Sequence, residues 1–423
     1  MLRYGGAVTL MQQNIDRLRD EKQACLENII YLLGSQEIIR EMNSIAARQP
    51  FDEETLNYLN DVSKILLSDS EAKAYADIIT FAFWIRKSSL TKLKERFMYE
   101  DGNIHMGRGV AFHIAPSNVP INYAYSLVTG LITGNANIVR VPSKEYDQIE
   151  IITRAFQSVL DLEKYVELRR YICLVRYDRN REINDWISAI ADVRIIWGGD
   201  ETIAEIRKSP LNPRACEVTF ADRFSLAVVD SDWYLTQNDK DKIAEGFYND
   251  TYLMDQNACT SPRIIIWMGN QKEKAKEEFW GIFHKLVMKK YTFQPIQGIN
   301  KLTSGYLLAA VSEGVKIVKR EDNLIVRVKI SKLSKTIMDL KDNSGYFFEY
   351  DCENIMDLRE LCNDRRCQTV AYLGDGTIFT PLLLSGIKGI DRIMPIGKTL
   401  DFDVIWDGYN LYERLTRIIS VGY

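Results

Sequence analysis

A lone cysteine, Cys259, stands in the stretch Met254-Asp255-Gln256-Asn257-Ala258-Cys259-Thr260-Ser261-Pro262-Arg263, just before the apolar run Ile264-Ile265-Ile266-Trp267. A thiolate is the side chain best suited to exchange with a thioester or add to an aldehyde, because it is nucleophilic even when partly ionised. The neighbours of Cys259 are small or polar, which leaves room for a substrate. Taken alone, the stretch still favours a buried packing cysteine, the commoner fate of the residue. That packing reading holds more firmly for Cys25, Cys173, Cys216, Cys352, Cys362 and Cys367, which lie in apolar or helical surroundings.

Two further stretches carry polar groups at strand ends. In Pro116-Ser117-Asn118-Val119-Pro120, which follows the run VAFHIA, the Asn118 amide offers two N–H donors and could hold a developing oxyanion; a plain turn or N-cap role is equally open. Gly134-Asn135 then turns the chain into NIVRV, and Arg140 ends that run, facing an anion or solvent. In VRIIWGGDETIAEIR, Gly198-Gly199 separates an apolar run from a helix, a layout that aims backbone N–H groups at a phosphate. No Gly-x-Gly-x-x-Gly fingerprint occurs, and Asp200 and Glu201 would repel a closely bound pyrophosphate. No metal site is expected: Cys362 and Cys367 are not a Cys-x-x-Cys pair, and His105, His113 and His284 are not spaced as ligands.

The elements that must position these residues are visible as texture. Residues 10 to about 98 read as mostly helical, with Leu56, Leu59, Val62, Ile65 and Leu66 at helical spacing. Beyond Gly107-Arg108-Gly109 the apolar runs VAFHIA, NIVRV, YICLVR, VRIIWG, SLAVVD and RIIIWM alternate with helix-like pieces such as EYDQIEIITRAFQSVL. That alternation predicts βαβ units and mostly parallel sheets. SDWYLTQNDKD interrupts it near Asp230, where a junction between two lobes is placed.

Composition narrows the class. The chain has 423 residues, 46% of them hydrophobic, which suits a large folded core. A net charge of −4 gives no bulk attraction to nucleic acid or to an anionic membrane. Val110 to Val139 carries no charged side chain, but its His113, prolines, asparagines and glycines indicate a buried segment and not a membrane span. MLRYGGAVTL lacks the layout of a secretory signal, and seven scattered cysteines suggest reduced thiols and a cytoplasmic location.

In combination, the Pro-x-Asn-x-Pro turn, GNANIVRVP, a strand–Gly–helix step and the lone Cys259 resemble the sequence plan of the aldehyde dehydrogenase superfamily. Within it the chain resembles the acyl-CoA reductase branch, the LuxC-like fatty acid reductases. DQNACTSPR, CQTVAYLG and GIDRIMPIGKTLDFDVIWDG carry the likeness most specifically, over about residues 100 to 423. The resemblance implies an α/β, aldehyde-dehydrogenase-like fold of two lobes, each with a mostly parallel sheet, after a helical N-terminal segment. Residues 1–100 would be that segment, 101–230 the nicotinamide cofactor-binding lobe, 231–395 the catalytic lobe, and 396–423 a tail packing back on the body.

By motif position, the resemblance makes Cys259 the catalytic nucleophile and Asn118 the oxyanion-hole amide. Gly198, with Gly199, matches the point where a helix meets the cofactor's phosphates. Arg140 stands where the family usually has a Lys touching the adenosine ribose. A guanidinium there could pair with a 2′-phosphate, which favours NADPH over NADH, with Pro142, Ser143 and Lys144 following it. One departure stands out. Oxidising members carry Glu-Leu-Gly-Gly, whose Glu activates water. Here the region reads CEVTFADRFSLAVVD, with Glu217 the nearest acid. The expected activity is therefore NADPH-dependent reduction of an acyl-CoA, of fatty acyl type, to the aldehyde through an acyl-cysteine. The alternatives are an NAD(P)-dependent aldehyde dehydrogenase releasing free acid and a non-catalytic subunit of an acyl-reductase complex. The resemblance also implies an acyl-activating synthetase as partner and a homo-oligomer.

Overall fold

A computed structural model describes residues 28–97 and 102–422. Cys25 and the start of the expected N-terminal helical segment lie outside the described residues. The chain divides into two compact units, one running to Ala221 and taking up the segment from Tyr409 onward, the other spanning Asp222–Gly408. Asp230 falls inside the second unit, where its carboxylate accepts from Trp233 N at 3.0 Å and caps the helix Ser231–Thr236.

The first unit begins with β1 (Ile30–Leu33), followed by helices that include α1 (Glu53–Ser68). Asp52 caps α1 by accepting from Thr55 N at 3.1 Å, and Glu53 and Glu54 complement the helix dipole in its first turn. The expected stripe buries Leu56, Leu59, Val62 and Leu66. Five βαβ-linked strands follow: β2 (Val110–Ile114), β3 (Ala136–Arg140), β4 (Ile172–Arg176), β5 (Val193–Trp197) and β6 (Cys216–Phe220). The connecting helices are α2 (Asn122–Ile132), α3 (Asp147–Leu160), α4 (Arg181–Ile190) and α5 (Asp200–Ile206).

The sheet order is β1-β4-β3-β2-β5-β6, with β1 antiparallel to β4 and every other pair parallel. Parallel strands covered on both faces read as unbroken apolar runs, which is why β2 to β5 were visible in the sequence. β1, IYLL, was not. It sits in a stretch expected to be helical, as a short antiparallel edge strand with Ile30 exposed. From Tyr409 onward the chain returns to this unit. Thr416–Ile419 pairs antiparallel with Ile104–Gly107, and Asn135 Nδ2 donates to Leu415 O at 3.0 Å.

The second unit carries β7 (Phe224–Asp230), β8 (Pro262–Met268), β9 (Lys316–Lys319), β10 (Val326–Lys329), β11 (Tyr346–Asp351), β12 (Cys367–Leu373) and β13 (Arg392–Pro395). Their order is β9-β10-β11-β8-β7-β12-β13, antiparallel only between β9 and β10. Helices α6 (Lys240–Thr251) and α7 (Lys272–Lys290) cover one face with Phe247, Phe279, Trp280 and Phe283. The other face packs Leu226, Ile264, Ile266, Val326 and Phe348. Among the described residues no helix is long and apolar enough to cross a membrane. Val110 to Val139 folds as β2, α2 and β3 of the first sheet.

Candidate active site

In the first unit the chain leaves β2 for β3 and β4 on one side and later returns to β5 and β6 on the other. This reversal between β2 and β5 is a topological switch point, and ligands of open α/β sheets bind outside the carboxyl ends of the strands at such a point. The structure brings Asn118, Arg140, Pro142, Ser143, Gly198 and Gly199 to that edge. Ile114 pairs with Arg140 across β2 and β3 and with Ile196 across β2 and β5. Asn118 is exposed in the turn after β2. The Arg140 guanidinium lies 4.6 Å from the Tyr177 ring centroid and donates to Tyr177 O at 3.2 Å, so it is held in place beyond its strand. Pro142 is buried, its carbonyl accepting from Arg176 Nε at 3.1 Å, and Ser143 is exposed beside it.

Gly198 donates its N–H to Phe220 O at 3.1 Å, and a Cβ on it would lie 3.0 Å from Thr202 Cγ2. Gly199 caps α5, whose first turn presents Asp200 and Glu201. Those carboxylates oppose an anion at the helix end itself. The residues of this edge that suit a cofactor phosphate are therefore Arg140, with Lys144 beyond it, and the close-approach surface of Gly198.

A buried polar chain ties the supporting strands together. Trp197 Nε1 donates to Ser126 Oγ at 3.0 Å, Ser126 Oγ meets His113 Nδ1 at 2.7 Å, and His113 Nε2 meets Asn137 Oδ1 at 3.0 Å. Asn137 Nδ2 donates to Asn135 O at 2.7 Å, so its Oδ1 must accept and His113 must carry its proton on Nε2. Burial pushes His113 down to about 4, against the raising effect of the Asn137 hydrogen bond. His113 is thus a neutral strut linking β2, α2, β3 and β5, directly beneath the edge described above.

Cys259 belongs to the second unit and lies in the link entering β8, at the amino end of that strand. The link is unusually constrained. Asp255 and Gln256, neither a glycine, have φ of 50° and 56°. Left-handed backbone at such residues persists only where surroundings over-determine it, and it clusters at functional sites. Here the surroundings are hydrogen bonds. The fully buried Gln256 side chain donates to Pro262 O and Tyr346 O, both at 3.2 Å, and accepts from Gly345 N at 2.8 Å and Tyr346 N at 3.1 Å. Arg263 reaches back to Gln256 O and to Asp342 O. Asn343 Nδ2 donates to Asn257 Oδ1 at 2.7 Å, and Ser225 Oγ donates to Cys259 O at 2.7 Å.

Cys259 itself is partly exposed. Burial of its sulfur, then the Asp407 charge, push the thiol up to about 12; a Gln368 hydrogen bond and the Arg223 charge act the other way. The resting group is therefore the thiol. Cys173, Cys352, Cys362 and Cys367 are buried. Glu217, the nearest acid in the departing segment, is fully engaged. Its Oε2 accepts from Arg194 Nη2 at 2.5 Å and Nε at 2.9 Å, and its Oε1 from Arg207 Nε at 2.7 Å. It is a strut between β5 and β6 and not a base awaiting water. Sequence reasoning missed Gln368 and Asp407 beside the cysteine. Both fall in segments that carry the family likeness, CQTVAYLG and GIDRIMPIGKTLDFDVIWDG, and the Asp407-Gly408 dipeptide marks a tight turn, but nothing in those segments points to the cysteine. Among the described residues no group of His, Cys, Asp and Glu is placed to hold a metal ion.

A doubly wound sheet with a switch-point edge, joined in one chain to a second parallel sheet bearing an anchored cysteine, defines the aldehyde dehydrogenase type of fold. Thermus 1-pyrroline-5-carboxylate dehydrogenase, solved with bound NAD, matches it with a TM-score of 0.62 over 95% of this chain and 85% of its own, at 12% identity. The P. syringae indole-3-acetaldehyde dehydrogenase matches with a TM-score of 0.63 over 95% and 88%, at 10% identity.

Residues 24–296 match the family model described as acyl-CoA reductase (LuxC), and the chain belongs to that family. Its relatives include the long-chain acyl-protein thioester reductase of Photobacterium phosphoreum, 26% identical over 86% of this chain and 76% of the relative. The Photorhabdus laumondii protein of the same name is 22% identical over 74% of this chain. The match spans 64% of that relative's length and 54% of the Aliivibrio fischeri one.

Proposed function

We propose that this protein reduces a long-chain acyl thioester to the aldehyde through an acyl intermediate on Cys259, with NADPH as reductant. The observation that carries the reading is the Cys259 link: two left-handed non-glycine residues, a saturated Gln256 and a buried Arg263 converge to hold one partly exposed thiol. The family description speaks for an acyl-CoA, and the relatives' names for an acyl group carried on a protein. Both are thioesters, and the chemistry asked of Cys259 is the same.

The Cys259 sulfur attacks the thioester carbonyl, giving up its proton as the carrier thiolate departs and takes one up. The Asn118 amide and the Cys259 N–H are the assigned donors to the tetrahedral oxyanion. Thioester replaces thioester, so this transfer is near neutral in free energy. Arg140, Lys144, Ser143 and the Gly198–Gly199 turn are assigned to hold NADPH, which supplies hydride when bound. Engagement of Glu217 by two arginines disfavours release of free acid, because a thioester meant to meet hydride must be kept from activated water.

The test is labelling without cofactor. Labelled palmitoyl-CoA and a palmitoylated protein thiol are each incubated with the protein, and the adduct is mapped by mass spectrometry. Label at Cys259 from at least one donor, absent in Cys259→Ala, is the expected result, and the productive donor identifies the carrier. Aldehyde formation by Cys259→Ala at the unsubstituted rate would refute the mechanism.

A further inference from the structure

The second unit holds a cleft that the proposed mechanism leaves unused. It lies between α7 and the strands β9 and β10 and encloses about 490 Å³. Small-ligand sites commonly enclose about 300–1,000 Å³. Strand alternation lines this one with charge. Val326 and Val328 of β10 point into the core, which turns Arg327 and Lys329 the other way, toward α7. Lys274 and Lys276 meet them from the start of α7, and Lys319 and Arg320 line the cleft from the end of β9. Six of the lining residues are thus Lys or Arg, against two acids, Glu273 and Glu277. The chain as a whole carries a net charge of −4, so the excess is local.

Ion pairs commit only part of this charge. The buried Lys276 is held by Glu273 at 2.6 Å and Asp351 at 2.5 Å, and Lys329 reaches Glu273 at 3.5 Å. Arg327 is braced from two sides. Behind it stands Glu349, 2% exposed, whose Oε1 accepts from Trp267 Nε1 at 3.1 Å and Trp280 Nε1 at 2.7 Å. Glu349 Oε2 has no hydrogen-bond partner and lies 3.5 Å from Arg327 Nη1. The guanidinium also sits 5.5 Å from the Trp280 ring centroid. An arginine has five N–H donors, so this bracing leaves most of them for a ligand. A cation fixed beforehand gives up little freedom on binding. Lys274, Lys319 and Arg320 form no ion pair among the described residues, and Glu277 is the one lining carboxylate left uncommitted.

Lysine on an edge strand discourages pairing with another sheet, which would account for Lys319. It would not account for Lys274 on a helix, or for an arginine braced against a buried carboxylate. Trp280 is 4% exposed beneath the guanidinium, so it offers no open ring face on which a base could stack. Recognition here is therefore of charge, and several spaced cations suit linked phosphates better than a single carboxylate.

We propose that this cleft binds the phosphate groups of a small molecule bearing a di- or triphosphate. The site is built from the second unit alone and shares no residue with the Arg140–Gly198 edge assigned to the cofactor. Free nucleotides and coenzyme A both carry the required chemistry. The proposal does not depend on the role of Cys259.

The experiment is isothermal titration calorimetry of the full chain with inorganic tripolyphosphate, then competition by ATP and by coenzyme A. Tripolyphosphate should bind saturably, and Lys319→Gln/Arg320→Gln should weaken it about tenfold or more. Both side chains are exposed, so the melting temperature without ligand should not change. Lys274→Gln should weaken binding in the same sense, by about threefold. Arg140→Ala should leave it within about twofold. Competition by ATP alone or by coenzyme A alone identifies the carrier, and competition by neither assigns the cleft to the inorganic anion. Absence of saturable tripolyphosphate binding at millimolar concentration would overturn the proposal. So would an affinity unchanged in Lys319→Gln/Arg320→Gln, or one lost in Arg140→Ala, which would put the anion at the other sheet.

Discussion

In the first unit Arg140 ends β3 and Asn118 and Gly198 stand beyond the carboxyl ends of β2 and β5, whereas in the second Cys259 precedes β8 and Gln368 follows the first residue of β12, at the amino ends. The two edges are built by different means. A carboxyl edge at a switch point is concave by topology, and the side chains there need only decorate it. The polar chain through His113 lies below that edge, inside the sheet. The amino edge of the second sheet has no such ready-made hollow. Its shape comes from buried polar side chains, Gln256, Arg263 and Ser225 among them, each of which costs free energy unless fully paired. Substitutions should therefore act chiefly on ligand affinity at the first edge and on both chemistry and stability at the second.

The largest expected effect separates the edges outright. Cys259→Ala should lower aldehyde formation by about a thousandfold or more, as loss of a nucleophile does. NADPH affinity, followed by cofactor fluorescence, should stay within about twofold, because the residues assigned to the cofactor lie on the other sheet. A tenfold change in affinity would break the comparison.

Gln256→Ala tests the claim that the amino edge is built by side chains. It strands two backbone N–H donors, Gly345 and Tyr346, and two carbonyls, Pro262 and Tyr346. With each unsatisfied buried group costing about 1–3 kcal/mol, partly relieved by water, urea unfolding should report a loss of about 3–5 kcal/mol. A loss below about 1 kcal/mol would show that the loop holds its left-handed backbone by other means.

Asp250 in α6 makes the second unit pH-sensitive. It accepts from Gly397 N at 2.6 Å and Thr399 N at 3.0 Å, fastening the loop after β13. Burial raises it to about 6 in spite of those two hydrogen bonds. A raised carboxyl holds its proton in the folded chain over a range where the unfolded chain has lost it. Stability should thus fall as pH rises from about 4 to about 6 and level off above, by about 3 kcal/mol at most. Thermal unfolding against pH should show this slope, and Asp250→Asn should remove it.

The two edges were also unequally legible. The runs YICLVR, VRIIWG and RIIIWM gave β4, β5 and β8 because a strand buried on both faces reads as a mostly apolar run, each broken here by a single arginine. The switch-point residues could be found because Gly198 ends VRIIWG, Arg140 stands near the end of NIVRV and Asn118 lies just past VAFHIA. β6, CEVTF, half-buried with a polar partner in Glu217, gave no such signal. At the second edge, the cysteine showed in the sequence but its setting did not. Gln368 and Asp407 lie 109 and 148 positions beyond Cys259, and nothing local to them distinguishes a residue beside a sulfur from an ordinary strand glutamine or turn aspartate. Only the Asp407-Gly408 turn was written locally, since left-handed backbone is a property of the dipeptide and not of its neighbours.

Arg140→Ala should sharpen the account of the first edge. With the guanidinium already held against Tyr177, its loss removes a preplaced cation and little packing. KM for NADPH should rise about tenfold or more while KM for NADH and kcat change little, since a charge-assisted bond to a 2′-phosphate exists with only one of the two. Equal rises for both would place Arg140 away from the 2′ position.

The smallest effect concerns two glycines of the first unit, and their difference bears on where function sits at that edge. A Cβ at Gly130 in α2 would lie 1.8 Å from Asn137 Oδ1 and 3.0 Å from His113 Nε2, inside the buried polar chain, so Gly130→Ala must break that chain and should destabilise the fold. A Cβ at Gly198 meets only the Thr202 side chain, 3.0 Å from its Cγ2. Gly198→Ala should therefore change stability by less than about 1 kcal/mol. If the open surface of Gly198 is where a phosphate approaches the backbone, the same substitution should still raise KM for the cofactor about threefold to tenfold, with an unchanged melting temperature. An unchanged KM would mean that this glycine serves only the turn from β5 into α5, and that the cofactor is held by Arg140 and its neighbours alone.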